Sequence, residues 1–379
     1  MIKKRKLKVL PFLIIIMLIL LSVIIIVSKN NKKGIVIDNS ISSDKEEVTD
    51  VIDTKKSMSI VMVGDALIHD SIYKDAYIGD NNYDFMSMFT DIGEMIKDYD
   101  LRYYNQETII GGKDLGLSNY PLFNSPDEIG IDLVKTGFNM VSLANNHSMD
   151  KGVRGLEYSV NFWKSMDGVI TAGSYASLEE RNNIKVYDTN GIKYAFLSYT
   201  VGTNGIPVPD GKEYLVNVYS DEIAKNDIDS IKDKVDVIIV AMHWGSEYTH
   251  TPTDEEKRMA KYLSSLGVNL IIGSHPHVIQ PVDYVDDTLV IYSLGNFISS
   301  QRSLGLNKII GLMVGLSINV ENNKVTFDNI KYDLLFTYDK GYKDFKIIPF
   351  SKLNNDILNN YEQINEEYMN IVNSEVYYD

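Results

Sequence analysis

From Met58 onward the chain alternates short apolar runs with segments whose apolar residues recur at helical spacing. Strand-like runs fall at 58–64 (MSIVMVG), 138–144, 168–172, 193–199 (KYAFLSY), 235–242, 268–273 and 289–294 (TLVIYS). Helical patterns lie between several of them, which is the βαβ signature of a layered α/β fold. The clearest helix spans 254–266: Thr253 with Glu256 makes a capping box, Gly267 supplies the stop, and Met259, Tyr262, Leu263 and Leu266 form one apolar stripe. It joins the segment HWG to the segment GSHPHV, so both should leave neighbouring parallel strands. After Ile309 the runs IIGLMVGLSINV and KVTFDNIKYDLLF, joined by Glu321-Asn322-Asn323, predict a hairpin. Residues 351–379 are acidic, Tyr-rich and amphipathic, a pattern expected to be helical and peripheral.

The N-terminus departs from this texture. Lys3, Lys4, Arg5, Lys6 and Lys8 precede an apolar run from Val9 to Val27 broken only by Pro11 and Ser22. At about 1.5 Å per residue such a run reaches roughly 28 Å, enough for a bilayer core. It lacks a small-x-small cleavage pattern, so it predicts an uncleaved signal anchor with a basic cytoplasmic N-terminus (1–8), a membrane span (9–27) and the bulk of the chain outside the membrane. Residues 28–57 are polar and without period, a linker. The main domain is expected over 58–335, followed by a C-terminal extension over 336–379.

Composition sharpens the picture in two respects. The chain has no cysteine, which excludes disulfides, thiol chemistry and a lipoprotein attachment site. Removing the eight basic residues of 1–33 takes the formal net charge from −15 to −23, and such an acidic domain argues against nucleic acid as a partner.

Four of the six histidines sit in three segments, ANNHSMD (144–150), AMHWGSEY (241–248) and GSHPHV (273–278), each closing an apolar strand-like run. A side chain just past a strand end is held rigidly yet reaches an open rim, as metal ligands and catalytic groups require. In VMVGDALIHD, Asp65 suits either metal ligation or capping of the next helix, and His69 either a rim histidine or a ligand. In LRYYNQET, Asn105 and Glu107 follow a short strand, and a buried Glu there should meet a cation or an arginine. Asn146 can ligate through its amide oxygen, His147 can serve as acid, base or ligand, and Asp150 can orient it. His243 follows VDVIIVA directly, with Glu247 four residues on. His275 and His277, two apart, would address one ion or ion pair if the segment is extended. His250 has no strand behind it and is expected to face solvent. Gly295-Asn296 in YSLGNFI reads as a tight turn that supports the site from behind.

GD at 64–65, N-x-E at 105–107, ANNHSMD, HWGSEY, GSHPHVIQP and SLGNF occur in the order seen in the CapA/PgsA capsule-biosynthesis family, which the chain resembles over about 58–300. YTVGTNGIP (199–207) and FNSPDEI (123–129) also look like family segments. That family is associated with poly-γ-glutamate synthesis and export and is similar to calcineurin-like metallophosphoesterases. The resemblance implies a four-layer α/β/β/α metallophosphoesterase-like sandwich behind a single N-terminal transmembrane helix. It further implies one or two divalent ions (Mn, Zn, Fe or Mg), with Asp65, Glu107, Asn146, His243, His275 and His277 as ligands. His147 would be the acid, with Asp150 beside it. The superfamily's opening Asp-x-His is broken here, because Ala66 and Leu67 follow Asp65. Its bridging aspartate has no counterpart other than Glu107, so a mononuclear or lopsided two-metal site fits better than a full dinuclear one.

Three functions remain open on this reading. The first is an extracytoplasmic metal-dependent hydrolase in poly-γ-glutamate biosynthesis or export. The second is a non-catalytic accessory subunit that holds the polymer for a membrane synthase. The third is a metal-dependent phosphodiesterase acting on a nucleotide or lipid headgroup.

Overall fold

The computed structural model describes residues 55–378. The basic segment 1–8, the expected anchor 9–27 and the linker through residue 54 lie outside the described residues. Among the described residues no helix is long and apolar enough to cross a membrane.

Strand β1 (Lys56–Ala66) is followed by a small ribbon, β2 (Tyr77–Gly79) and β3 (Asn82–Tyr83), then by β4 (Leu101–Asn105), β5 (Met140–Ser142) and β6 (Ile170–Ala172). Next come β7 (Tyr187–Thr189), β8 (Ile192–Thr200), β9 (Val237–His243), β10 (Leu270–Ser274), β11 (Val282–Val285) and β12 (Thr288–Ile291). The chain closes with β13 (Asn296–Ile298), β14 (Ile310–Glu321), β15 (Lys324–Tyr338) and β16 (Lys346–Pro349). They form an eight-stranded sheet in the order β16-β15-β14-β1-β4-β5-β6, with β13 also on β1, and a six-stranded sheet in the order β11-β12-β10-β9-β8-β7. Within them β1, β4, β5 and β6 run parallel, as do β8, β9, β10 and β12.

Side-chain alternation along the strands builds the layers. Ile60, Met62, Tyr103 and Met140 of the larger sheet pack on Phe196, Ile239, Ile272 and Ile291 of the smaller one, a core between two sheets. The residues between them point the other way. Val61, Val63, Tyr104 and Val141 meet Ile92, Ile129 and Leu133 of the helices Thr90–Ile96 and Asp127–Thr136. On the far side, Leu197, Val240 and Ile271 meet Ile228, Met259 and Leu263 of the helices Asp221–Ile231 and Asp254–Ser265. The order is therefore helix, sheet, sheet, helix, a mixed α/β fold.

The expected strands all appear, and β9 and β10 are parallel neighbours with His243 opposite Ser274. The helix Asp254–Ser265 carries both halves of the Thr253–Glu256 capping box. The hairpin joins β14 to β15 through Asn322 and Asn323 at φ +52° and +59°, the left-handed pair a two-residue turn requires. Beyond residue 335 the chain stays in the sheet: β15 continues to Tyr338, and β16 pairs back onto it with Pro349 opposite Leu335. The C-terminal helix spans Tyr361–Val372 and is less peripheral than its composition suggests, because Tyr368 and Val372 are buried in the inter-sheet core.

Candidate functional site

Parallel strands all end at one edge, so register alone lines up a row of polar side chains. In the larger sheet Asp65 stands opposite Asn105 and Asn296, and Asn105 opposite Ser142. In the smaller sheet His243 stands opposite Thr200 and Ser274. Two glycines let the following loops close over these ends. A Cβ on Gly64 would lie 1.8 Å from Gly295 O, and one on Gly273 would lie 1.9 Å from Tyr292 O. Only glycine allows backbones to approach so closely.

The two strand-end rows meet. Asn105 Nδ2 donates to Asp65 Oδ1 at 2.8 Å and lies 3.4 Å from His243 Nδ1, and Asn105 Oδ1 accepts from Ser142 Oγ at 2.9 Å. The His275 backbone N–H donates to Asp65 Oδ2 at 3.2 Å. His243 Nε2 lies 3.0 Å from Asn146 Oδ1, 3.1 Å from His275 Nδ1 and 3.7 Å from Glu107 Oε1. His277 Nε2 lies 3.5 Å from Glu107 Oε1, and its Nδ1 lies 3.5 Å from Asp65 Oδ2. Asp65, Glu107, Asn146, His243, His275 and His277 are thus brought into one cluster, drawn from both sheets.

Three groups in it bring ligand atoms within 4.8 Å of one another: Glu107–His243–His275, Asp65–Glu107–His277 and Glu247–His275–His277. Glu107 is the telling member. It is fully buried, yet neither carboxylate oxygen has a hydrogen-bond partner. A buried carboxylate left so costs several kcal/mol, and burial holds its protonation well above the usual carboxylate range. Unpartnered carboxylate oxygens facing two imidazoles fit a divalent cation better than they fit any partner in the protein.

The imidazoles are tuned in opposite directions. Burial and the neighbouring His275 and His277 keep His243 well below its usual range. Burial, with His277 close by, lowers His275 to about 4. Burial also works against protonation of His277, but Glu107 and Asp65 outweigh it and raise the ring to about 9.

His147 and Asp150 form a separate pair. His147 Nδ1 lies 2.7 Å from Asp150 Oδ2, which also accepts from the Phe123 N–H at 2.7 Å. The Phe123 ring meets His147 edge-on at 4.8 Å and His69 edge-on at 5.5 Å. His69 does not join any of the three ligand groups. Its Nδ1 sits 3.0 Å from Leu67 O and 3.2 Å from the Ser300 N–H.

Two expectations need correction. The His275-Pro276-His277 segment is not extended: both histidines have positive φ, +98° and +59°, and their rings converge to 6.0 Å through a bend rather than through strand alternation. His250 is half-buried rather than solvent-facing, with Nδ1 2.7 Å from Ile279 O and its ring edge-on to Tyr368. The supporting role of Asn296 is more specific than a turn residue implies, since its Oδ1 lies 3.0 Å from His277 Nδ1. Ser274, whose Oγ lies 2.9 Å from His243 Nδ1, gave no signal because a serine ending a strand is commonplace. A cleft of about 490 Å³ lies elsewhere, beside the Arg181–Asp227 ion pair.

A layered α/β chain with its polar cluster where the parallel strands of two mixed sheets end sets the class. Residues 59–301 match the family described as bacterial capsule synthesis protein PGA_cap, and the chain belongs to that family. It is 31% identical over 165 residues to the PGA biosynthesis protein CapA of Bacillus subtilis, covering 43% of each chain. It is 30% identical over 172 residues to the capsule biosynthesis protein CapA of Bacillus anthracis, covering 44% of this chain and 41% of that one. The chain thus spans less than half the length of either relative. Among solved structures, it is similar to the calcineurin-like phosphoesterase YfkN of Bacillus subtilis, at 15% identity and TM-score 0.45, covering 83% of this chain and 99% of that one. A likeness of that strength carries over neither fold nor function, and the layers above rest on their own contacts.

Proposed function

We propose that the chain is a membrane-anchored, extracytoplasmic protein of poly-γ-glutamate capsule biosynthesis or export. Its histidine cluster binds one or two divalent cations and carries out a hydrolytic step. Family membership supports the setting, as do the names of the two Bacillus relatives. The anchor is the apolar run 9–27, followed by a linker and by the metallophosphoesterase-type domain, which starts with β1 at Lys56 and includes β16 and the C-terminal helix.

The observation that carries the metal reading is Glu107, buried with both oxygens unpartnered and with His243 and His277 at 3.7 and 3.5 Å. Asp65, Glu107, Asn146, His243, His275 and His277 would hold the cation. When bound, it supplies Lewis-acid polarisation of the scissile group. Asp150 fixes the His147 ring through Nδ1, so Nε2 is the atom from which a proton passes to the leaving group.

A second reading, a non-catalytic subunit that holds polymer for membrane synthase partners, is favoured by Leu67, which is buried where the resembled superfamily has a histidine ligand. The two separate in one experiment. The full-length chain in detergent is assayed on a phosphodiester dye and on poly-γ-glutamate, with and without chelator. Chelator-sensitive turnover of either substrate supports hydrolysis, while bound metal with no turnover of either leaves the accessory role.

A further inference from the structure

Among the described residues Lys308 is the only buried lysine or arginine, and it pairs with no carboxylate among them. Arg302, six residues earlier in the same turn, is by contrast paired with Asp339 at 2.6 Å. The Lys308 ammonium has only neutral partners: Leu304 O at 3.1 Å, Asn307 Oδ1 at 3.2 Å and the face of the Tyr248 ring, with its centroid at 4.6 Å. A lysine is rarely buried unless paired, because neutral acceptors leave its charge uncompensated. We propose that Lys308 and Tyr248 form an anion subsite beside the histidine cluster, which takes a carboxylate or phosphate group of the substrate. This inference rests on the function proposed above, in its hydrolytic or its polymer-holding form, and adds the substrate's charge and the group that meets it.

Two separate connections hold the subsite against the cluster. Through the backbone, Lys308 O accepts from Asn296 Nδ2 at 2.8 Å and from Ser299 Oγ at 2.7 Å, and the same Asn296 presents its Oδ1 to His277 Nδ1 at 3.0 Å. Through side chains, the Tyr248 ring that faces the ammonium has its centroid 6.0 Å from that of His277. The Tyr248 N–H also donates to Pro276 O at 2.7 Å, between His275 and His277. Lys308 ends a pair of short turns, Arg302–Leu304 and Leu306–Lys308, in which Leu304 and Leu306 are exposed, and Tyr248 is exposed as well. The ammonium therefore sits close beneath the rim of the cluster rather than in the core.

The charge of the chain gives such a group a purpose. Its formal net charge is −15, so an approaching polyanion meets a repulsive field. An unpaired cation held next to the cluster offsets that field locally, and its burial cost is relieved when an anion binds. A γ-linked glutamate chain carries a free carboxylate on every unit, and a phosphodiester carries one charged phosphate. Either supplies the anionic oxygen that the ammonium lacks.

The test is anion binding in chelator, where no cation contributes. Full-length protein in detergent is titrated calorimetrically with a short poly-γ-glutamate, with its methyl ester and with inorganic phosphate. Wild type should bind the oligomer or phosphate, and bind the oligomer more tightly than its ester. Lys308→Met removes the charge and keeps an unbranched side chain. It should weaken anion binding by about 10–100-fold, the worth of a hydrogen bond to a charged group, and abolish the preference over the ester. Oligomer binding places a carboxylate in the subsite, and phosphate binding alone places a phosphate there. Because the ammonium has no ion-pair partner to lose, Lys308→Met should not lower the urea midpoint. Unchanged anion binding in Lys308→Met, or equal weakening toward oligomer and ester, overturns the subsite. So does a fallen midpoint, which assigns the ammonium to holding its turn. A wild type that binds neither anion overturns the subsite alone, because the metal content of the same protein is measured separately without chelator.

Discussion

Asn296 Oδ1 sits 3.0 Å from His277 Nδ1, and the rest of the Asn296 amide leaves no choice about which way it faces. Its nitrogen donates to Lys308 O at 2.8 Å and to Gln301 Oε1 at 3.0 Å, so the oxygen must be the atom presented to the imidazole. His277 Nδ1 therefore carries the proton in that hydrogen bond, which directs Nε2 toward Glu107 as the atom that would ligate a cation held there. Orientation of a metal-ligating histidine by such a partner is typically worth about 10–100-fold in metal affinity. Asn296→Ala should weaken metal binding by that factor in isothermal titration. Asn296→Asp should restore most of it if orientation is the cause. Equal affinity in wild type and Asn296→Ala would remove Asn296 from this role.

The paired His147 and Asp150 predict a different signature. Substituting His147 by Gln should lower kcat by about 10²–10⁴-fold in a hydrolytic assay while leaving bound metal unchanged, because His147 lies in none of the three ligand groups. Asp150→Asn should act in the same direction through the orientation of the ring. Loss of metal in His147→Gln would reassign the residue as a ligand.

Gly64 tests how the loop before β13 closes over the end of β1. A methyl at this position would meet Gly295 O at 1.8 Å, and that carbonyl is held in place by the Asp65 N–H, which donates to it at 3.0 Å. Gly64→Ala should cost about 3 kcal/mol or more, read as a drop in denaturant midpoint. A change under about 1 kcal/mol would show that the loop yields.

Much of this was legible because strand ends carry the chemistry. Asp65, Asn146, His243, His275 and His277 each close or follow an apolar run, and a short, nearly unbroken apolar run marks a strand buried on both faces. Glu107 was legible for a different reason, since a carboxylate directly after a buried strand needs a charge partner. The bend at His275 was not legible, because positive φ at a histidine is imposed by contacts from β1 and from the loop after β9, both distant in sequence. Neither was the hold of Asn296 on His277, as a Gly-Asn pair looks the same in any turn. The sheet also continues past residue 335, where polar alternation in β15 and Pro349 in β16 disguise an edge.

His69 gives the metal-free protein a pH dependence. Burial lowers its imidazole from an ordinary 6.5 to about 4. Between those values the unfolded chain binds the proton and the folded chain does not, so stability falls as pH drops from about 6.5 to about 4 and is unaffected by this residue above that window. The contribution is roughly 2 kcal/mol after allowance for partial exposure. In chelator, urea midpoints of His69→Gln should decline less steeply over this window than those of wild type. Parallel declines would place the effect elsewhere.

The proposed cation is what accounts for a Glu107 buried with neither oxygen partnered. Elemental analysis of the full-length chain, purified without chelator and dialysed against metal-free buffer, tests it directly, with Glu107→Gln alongside. Wild type should carry at least one equivalent of a divalent transition metal, reduced to a trace in Glu107→Gln while the melting profile still shows a folded protein. Absence of metal from wild type, or equal metal in a folded Glu107→Gln, would contradict it.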